Sequence, residues 1–433
     1  MKCSDNMNCL DEGEMCVPDL GLPRIILVGG GFAGLNLIKS LSKEQVQVVL
    51  IDKNNYHQFL PLLYQVATSG IEPDSIVFPF RKLFDKYQNV LYRMAEAISI
   101  DTVKNRLNTT IGAINYDFLV LAHGVNTNFF GNNGFEKNGL GLNSLVDALD
   151  IRSTLLQNLE RAAVTCIKEE KETLSSIAIV GGGPAGVEMT GALAEFKRFI
   201  LPRDYPELKN IEMKIFLLEA SNRLMQWMPE RLSDKTLNYL EDLKVHVILN
   251  KSVKKFEGST VTLDDETSLN AATFIWTAGV KGKIIKGLPL DVWNGQNRIK
   301  VDDFNRVQSL KNVFAVGDIA FMNTPKYPDG HPMLAQSAIQ QGKVLSENLM
   351  RTINSQPMSA FEYNDKGTMA TIGKKRAIAA IKKYQFSGFF AWFIWSFVHL
   401  MGIIGVKNKI IVAVNWLWSY FTYDKGNRII VRT

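Results

Sequence analysis

Six glycines, grouped as Gly29-x-Gly31-x-x-Gly34 and Gly181-x-Gly183-x-x-Gly186, have the spacing in this chain that points most directly to chemistry. In such a group the first glycine allows a tight turn between a strand and a helix. The second lets backbone approach a pyrophosphate, and the third lets the helix pack closely on the strand. The helix N-terminus then offers N–H groups and partial positive charge to the anion. A carboxylate belongs at the end of the following strand, where it accepts hydrogen bonds from a ribose. Asp52 stands 18 residues after Gly34, and Glu219 closes the apolar run 213–218, so each glycine set has its acid. Two sets in one chain mean two bound dinucleotides. The carboxylate of Glu219 favours a free 2′-hydroxyl and repels a 2′-phosphate, so NADH is expected over NADPH; Arg223, close behind, pulls the other way.

Three further features could carry chemistry. Glu188 follows the second glycine set by two residues, in what reads as the first turn of a helix. The helix dipole favours a carboxylate there, so its residue type alone is also explained by capping. Gly317–Asp318 ends the apolar run NVFAV, and a strand-end cap is the plain alternative for Asp318. The four cysteines, Cys3, Cys9, Cys16 and Cys166, include no CxxC pair, and His57, His123 and His399 show no metal spacing. A structural disulfide framework and a metal centre are therefore not expected, and a reducing compartment is.

These groups need a particular set of elements to hold them. RIILVG at 24–29 is a continuous apolar run, as a buried parallel strand requires, and it leads through the glycines into a helical pattern and then VQVVLI at 46–51. The same strand, glycine turn, helix, strand and acid recur about 150 residues later, with SIAIV at 176–180 and MKIFLL at 213–218. Strand-like runs at 116–122, 245–249, 261–264 and 274–276 extend the two sheets, and NVFAVGDIA from Asn312 with a helix from about Ala335 returns the chain to the first of them. The expected fold is α/β, with two Rossmann-like dinucleotide-binding domains, the NADH domain inserted in the first, and a C-terminal amphipathic helical membrane foot. The expected boundaries are a disordered tail at 1–22, a first domain at 23–150 and 286–365, the nested domain at 151–285, and the membrane-anchoring region at 366–433.

Composition agrees with an ordered, multi-domain chain: 433 residues, 46% apolar and 21% charged, with a net charge of +6 that does not suggest nucleic-acid binding. The stretch 1–22 carries five acids and lacks the basic and apolar regions of a signal peptide. From Tyr384 to Val406 no charged residue occurs, and the run is rich in Phe and Trp. Its length raises a spanning helix, but aromatic residues fall through its middle rather than at two interfaces. A second run at 410–423 is too short to span. Two interfacial helices flanked by Lys374, Lys375, Arg376, Lys382, Lys383, Lys407 and Lys409 are the preferred reading, beside a transmembrane hairpin or a buried dimer interface.

With two fingerprints and the Gly317–Asp318 strand end, the chain resembles the two-dinucleotide flavoproteins that oxidise pyridine nucleotides. Within them, NNYHQFLPLLYQVATSG at 54–70, FIWTAGVKG at 274–282 and HPMLAQSAIQQGK at 331–343 resemble type II NADH dehydrogenases, from about residue 23 to the C-terminus. The resemblance implies FAD on Gly29, Gly31, Phe32, Ala33, Gly34, Asp52, Lys53, Gly317, Asp318, Ala338 and Ile339. It implies NADH on Gly181, Gly183, Gly186, Glu219 and Gly279. It gives Glu188 and Gln336 catalytic roles, and places quinone, ubiquinone or menaquinone, against Gln336, Gln340, Trp395 and Val398. The implied reaction passes hydride from NADH to FAD and two electrons on to quinone, without proton pumping. It also implies a homodimer on a lipid surface, peripheral on the cytoplasmic face of the inner membrane. Disulfide-exchanging members and sulfide:quinone oxidoreductases need internal cysteines that this chain lacks. Two alternatives remain, a soluble reductase of a ferredoxin-like partner and an NADH-binding redox sensor of the apoptosis-inducing-factor kind; the Ala335–Gln340 pattern argues against both.

Overall fold

The computed structural model describes residues 13–422 and 426–431. The chain divides into two compact units, one drawn from Met1–His57, Phe78–Asn126 and Val280–Asp365, the other from Gln58–Val77, Thr127–Gly279 and Lys366–Thr433. The second unit thus reaches well outside the 151–285 stretch expected for a nested domain, while residues 280–285 fall in the first unit.

The first unit is built on a five-stranded parallel sheet, in the order Val313–Ala315, Phe118–Leu121, Arg24–Val28, Gln47–Asp52 and Val90–Met94. Ile25, Ile26 and Leu27 are wholly buried, as a central strand covered on both faces demands. The helices Phe32–Leu41 and Ala335–Ile353 pack against each other so closely that a Cβ on Gly342 would lie 2.3 Å from the Ala33 carbonyl oxygen.

The expected disorder of 1–22 does not hold for its described part. Met15 is 8% exposed within the core of this unit, its amide donates to the Ala113 carbonyl at 2.8 Å, and the Ala113 amide donates to Gly13 at 3.0 Å. Glu14 also pairs with Arg106 at 3.3 Å. One buried apolar side chain and a short stretch of sheet pairing outweigh the acidic composition that suggested a tail. Residues 1–12, with Cys3 and Cys9, lie outside the described residues.

The second unit repeats the parallel plan with the order Leu140–Gly141, Thr273–Trp276, Ile177–Val180, Ile215–Glu219 and His246–Leu249. Its Pro184–Glu195 helix continues through a widened π turn at Phe196–Ile200. The C-terminal part adds an antiparallel sheet of Thr368–Thr371, Ala377–Ile381 and Tyr384–Ser387, then the helices Phe389–Gly402 and Val406–Thr422.

The uncharged run from Tyr384 is therefore not one segment. It is an edge strand, a turn at Gly388 with φ +76°, and a 14-residue helix. At 1.5 Å per residue that helix is about 21 Å long, short of the ~30 Å hydrocarbon core. Among the described residues no helix is long and apolar enough to cross a membrane.

Candidate functional site

The two glycine turns have the same local construction, each within its own unit. Gly29 has φ +102° and Gly181 φ +111°, conformations that suit glycine. A Cβ on Gly34 would sit 2.1 Å from the Gly29 carbonyl oxygen, and one on Gly186 would sit 1.9 Å from that of Gly181. Helix and strand touch backbone to backbone at both places. Gly31, by contrast, faces open space, with nothing within 4 Å of its Cβ position. The helices Phe32–Leu41 and Pro184–Glu195 have no side-chain cap at Gly31 or Gly183, and Pro184 suits the first helical position. A turn that keeps space beside its second glycine and leaves the following helix uncapped fits a pyrophosphate.

The strand-end acids are tied back to these turns. Asp52 accepts from the Gly30 amide at 2.7 Å and from the Asn54 amide at 2.8 Å; burial still holds its carboxyl above the ordinary range. Glu219 accepts from the Gly182 amide at 2.5 Å and from the Ser221 amide and hydroxyl at 2.8 and 2.7 Å. Beside the second turn, the Met225 amide donates to the Gly182 carbonyl at 2.8 Å, and Trp227 is 59% exposed over Gly183. Asn222, Arg223, Gln226, Trp227 and Glu230 line a depression there.

In the first unit, His123 stands at the Gly29 turn, its Cα 2.7 Å from where a Gly29 Cβ would lie. Its Nε2–H donates to the Lys283 carbonyl at 3.1 Å, and its Nδ1 is buried with no partner among the described residues. Because burial lowers its pKa to about 4, the ring is neutral and Nδ1 is a bare acceptor. A ligand N–H or O–H would satisfy it, which suits a cofactor seated in this cradle.

Gly317, at φ +75°, donates its amide to Gln341 Oε1 at 2.7 Å. Burial raises the Asp318 carboxyl, with Arg298 opposing; Arg298 itself is fixed by the Asp318 and Ala320 carbonyls at 2.8 and 2.6 Å. Phe32 sets its ring edge against His57 at 5.4 Å, Ala33 is buried, and Lys53 is exposed. On the Ala335–Ile353 helix, Ala338 is buried while Gln336 and Ile339 are half-buried. Gln340 spends both ends of its amide on the Asn364 backbone, at 2.9 and 3.0 Å. Of the two neighbouring glutamines, the one turned towards Gly317 is Gln341, which the sequence pattern did not single out.

In the second unit Gly279, φ +91°, closes a turn against the Phe130 ring. Glu188 is the fifth residue of its helix and does not cap it. Its carboxyl is 7% exposed and accepts from the Thr371 amide at 3.2 Å and from the Trp395 indole N–H at 3.1 Å. Burial raises its pKa to about 8 against those two bonds. Thr371 and Trp395 also line a cavity with Tyr64, Glu195, Lys374 and Trp416. Burial lowers the Lys374 amine to about 8, opposed by Glu195; its ammonium donates to the Ser419 carbonyl. Tyr64, Lys374 and Trp416 were not expected here, since three remote segments bring them together.

Trp395 is 2% exposed, so it is an internal residue rather than one of the outward aromatics, whereas Val398 is 47% exposed. Phe389, Phe393, Phe397 and Met401 repeat every four residues on the outer side of the same helix. Val406, Ile410, Val414, Leu417, Trp418 and Phe421 do so on the next.

The sequence model of the pyridine nucleotide-disulphide oxidoreductases matches residues 23–342, and that of the NDH2 C-terminal domain matches 366–422. A type II NADH:quinone oxidoreductase of Mycobacterium tuberculosis is 32% identical, over 94% of this chain and 90% of its own. An internal alternative NAD(P)H-ubiquinone oxidoreductase of Arabidopsis thaliana is 29% identical, over 92% of this chain and 84% of its own. The solved NDH2 of Plasmodium falciparum in complex with NADH shares the fold at a TM-score of 0.86, with 21% identity over 95% of this chain and 100% of that one. The duplicated glycine turns, the uncapped helices behind them and these likenesses along nearly the whole length agree: the chain belongs to the type II NADH:quinone oxidoreductases, within the pyridine nucleotide-disulphide oxidoreductase family.

Proposed function

We infer that this chain oxidises NADH and reduces quinone through FAD. The first glycine turn, with the acceptors Asp52, Asp318 and His123 around it and open space at Gly31, is suited to hold FAD; the second, with Glu219 and the depression beside Trp227, is suited to NADH. FAD, when bound, supplies the step between a two-electron hydride donor and a quinone. The protein's part is to bind and orient. The Glu219 carboxylate is held towards the Gly182 turn, where a ribose diol would meet it and a 2′-phosphate would be repelled. Glu188 is an acid buried behind a cavity and poised near neutral pH, the property a proton donor to reduced quinone needs.

The observation that carries the quinone assignment is the two-sided Phe389–Gly402 helix. Its inner face brings Trp395 to Glu188, and its outer face is apolar. A lipid-soluble substrate calls for that arrangement, in which an apolar surface adjoins a buried acid. We read this helix and Val406–Thr422 as an interfacial foot, each large outward side chain contributing on the order of 2 kcal/mol on insertion. Attachment to the cytoplasmic face of the inner membrane and a homodimer are the finer parts of the same proposal. A soluble reductase or redox sensor would have no use for this outer face.

The test compares acceptors. Wild type should be retained by lipid vesicles and should reduce a long-chain quinone with NADH. Replacing Phe389, Phe393 and Phe397 by Ser should release it and impair that activity, while a small soluble acceptor such as ferricyanide is still reduced. A variant that stays bound with full long-chain activity refutes the foot.

A further inference from the structure

Trp395 has an unusual place among the aromatic residues of the C-terminal helices. Its neighbours Phe389, Phe390, Phe393 and Phe397 are each more than half exposed, but Trp395 is 2% exposed. Its indole N–H is spent on Glu188, 207 residues earlier in the chain. The ring is clamped from two sides. His399, one helical turn on, stacks on it at a centroid distance of 4.1 Å and donates its Nδ1–H to the Trp395 carbonyl at 2.8 Å. Trp416, from the Val406–Thr422 helix, lies 5.4 Å away and is itself fixed by a 2.8 Å bond to Gln65 Oε1. The Thr371 amide supplies the other donor to the same Glu188 oxygen. That oxygen is thus oriented by a backbone amide that cannot move without the sheet, and by an indole that cannot move without the helix.

We propose that Trp395 is a positioning residue: its indole N–H fixes the Glu188 carboxyl, so that the seating of the Phe389–Gly402 helix governs how that acid works in quinone reduction. The inference rests on the role given to Glu188 above and adds the residue through which the foot reaches it. Its physical basis is selective stabilisation. An indole N–H donates and does not accept, so it stabilises the carboxylate over the acid. Without it the buried acid would hold its proton to still higher pH.

The surroundings leave few competing causes. Of the titratable groups on elements packed against the Pro184–Glu195 helix, Tyr64 senses the Glu188 charge and is driven up by burial. Glu219 on the adjoining strand, Lys197 and Arg198 in the π turn, and the charged residues of the Glu230–Asp242 helix are not among the causes acting on Glu188. His399 is kept neutral by burial, its pKa near 4. Trp395 and Thr371 are the two groups that draw the Glu188 value back down.

The experiment uses the full-length, FAD-loaded enzyme on lipid vesicles. Quinone reduction per bound flavin is followed across pH for wild type, E188Q, W395F and the double variant. The midpoint belonging to Glu188 should vanish in E188Q and should move to higher pH in W395F, by about one pH unit for a lost hydrogen bond to a charged group. W395F should then have no further effect in the E188Q background. If E188Q keeps the wild-type midpoint, the role of Glu188 fails and the inference falls with it. If E188Q abolishes the midpoint but W395F leaves it in place, the inference alone is overturned. A second measurement needs no tryptophan variant. Of the seven indole N–H signals in the 15N spectrum, one should titrate with the Glu188 midpoint and stop doing so in E188Q. Seven signals indifferent to E188Q refute the coupling.

Discussion

Replacing Glu188 by Gln should change the stability of this protein in a way that depends on pH, with a predictable sign. The folded-state pKa is raised from the ordinary 4.5 to about 8 by burial, so the acid form is the one the fold accommodates. Below about pH 4.5 both folded and unfolded chains carry the proton, and the site imposes no penalty. As pH rises through the window from 4.5 to 8, the unfolded chain releases its proton while the folded chain keeps it. Stability is lost progressively until both are ionised. At about 1.4 kcal/mol for each tenfold change in proton affinity, the full loss is on the order of 4–5 kcal/mol. Gln has nearly the same shape and no proton to release, so E188Q escapes that loss. Thermal or denaturant unfolding of FAD-saturated wild type and E188Q, compared at intervals from pH 5 to 9, should show the variant gaining on wild type by a few degrees towards alkaline pH. A difference between the two proteins that is constant across this range would refute the claim that Glu188 is buried in its acid form.

Two further predictions concern the glycine turns. Gly31→Ala should fold with nearly unchanged stability, because nothing lies within 4 Å of the added Cβ, yet should bind FAD markedly more weakly; Gly34→Ala, with its Cβ 2.1 Å from the Gly29 oxygen, should be destabilised even without flavin. Flavin absorbance and melting of the two variants side by side give the answer, and equal behaviour would contradict the pyrophosphate placement. Glu219→Gln should narrow the preference for NADH over NADPH in kcat/KM, and equal turnover of the two nucleotides by wild type would remove that acid from the discrimination.

The glycine turns were legible in the sequence because their demands are local. A backbone contact between Gly34 and Gly29, or Gly186 and Gly181, is written in six residues. The strand-end acids were legible for the same reason. Glu188 was found but its surroundings were not: its partners Thr371 and Trp395 lie 183 and 207 residues away, so a local reading of the residues offered only the helix dipole. Gln340 and Gln341 differ by 100° around one helix, and no periodic pattern reveals which of them turns towards Gly317. The uncharged C-terminal run looked continuous because hydropathy is blind to the positive φ of Gly388. At the N-terminus, five acids hid one buried methionine.

The Phe389–Gly402 helix faces two environments at once, and this limits how its sequence can drift. Its outer positions need only be large and apolar, so Phe393 or Phe397 can be exchanged for Leu or Met at little cost. Trp395 has no such freedom, since Phe offers no N–H and Leu neither N–H nor ring. Changes of length are restricted still more. One residue inserted ahead of Trp395 turns everything beyond it by about 100°. The indole would leave Glu188, and Phe397 and Met401 would rotate off the outer face together. A homologous chain could therefore lengthen the 403–405 connection, but inside this helix a single insertion breaks the site and the outer surface in one step.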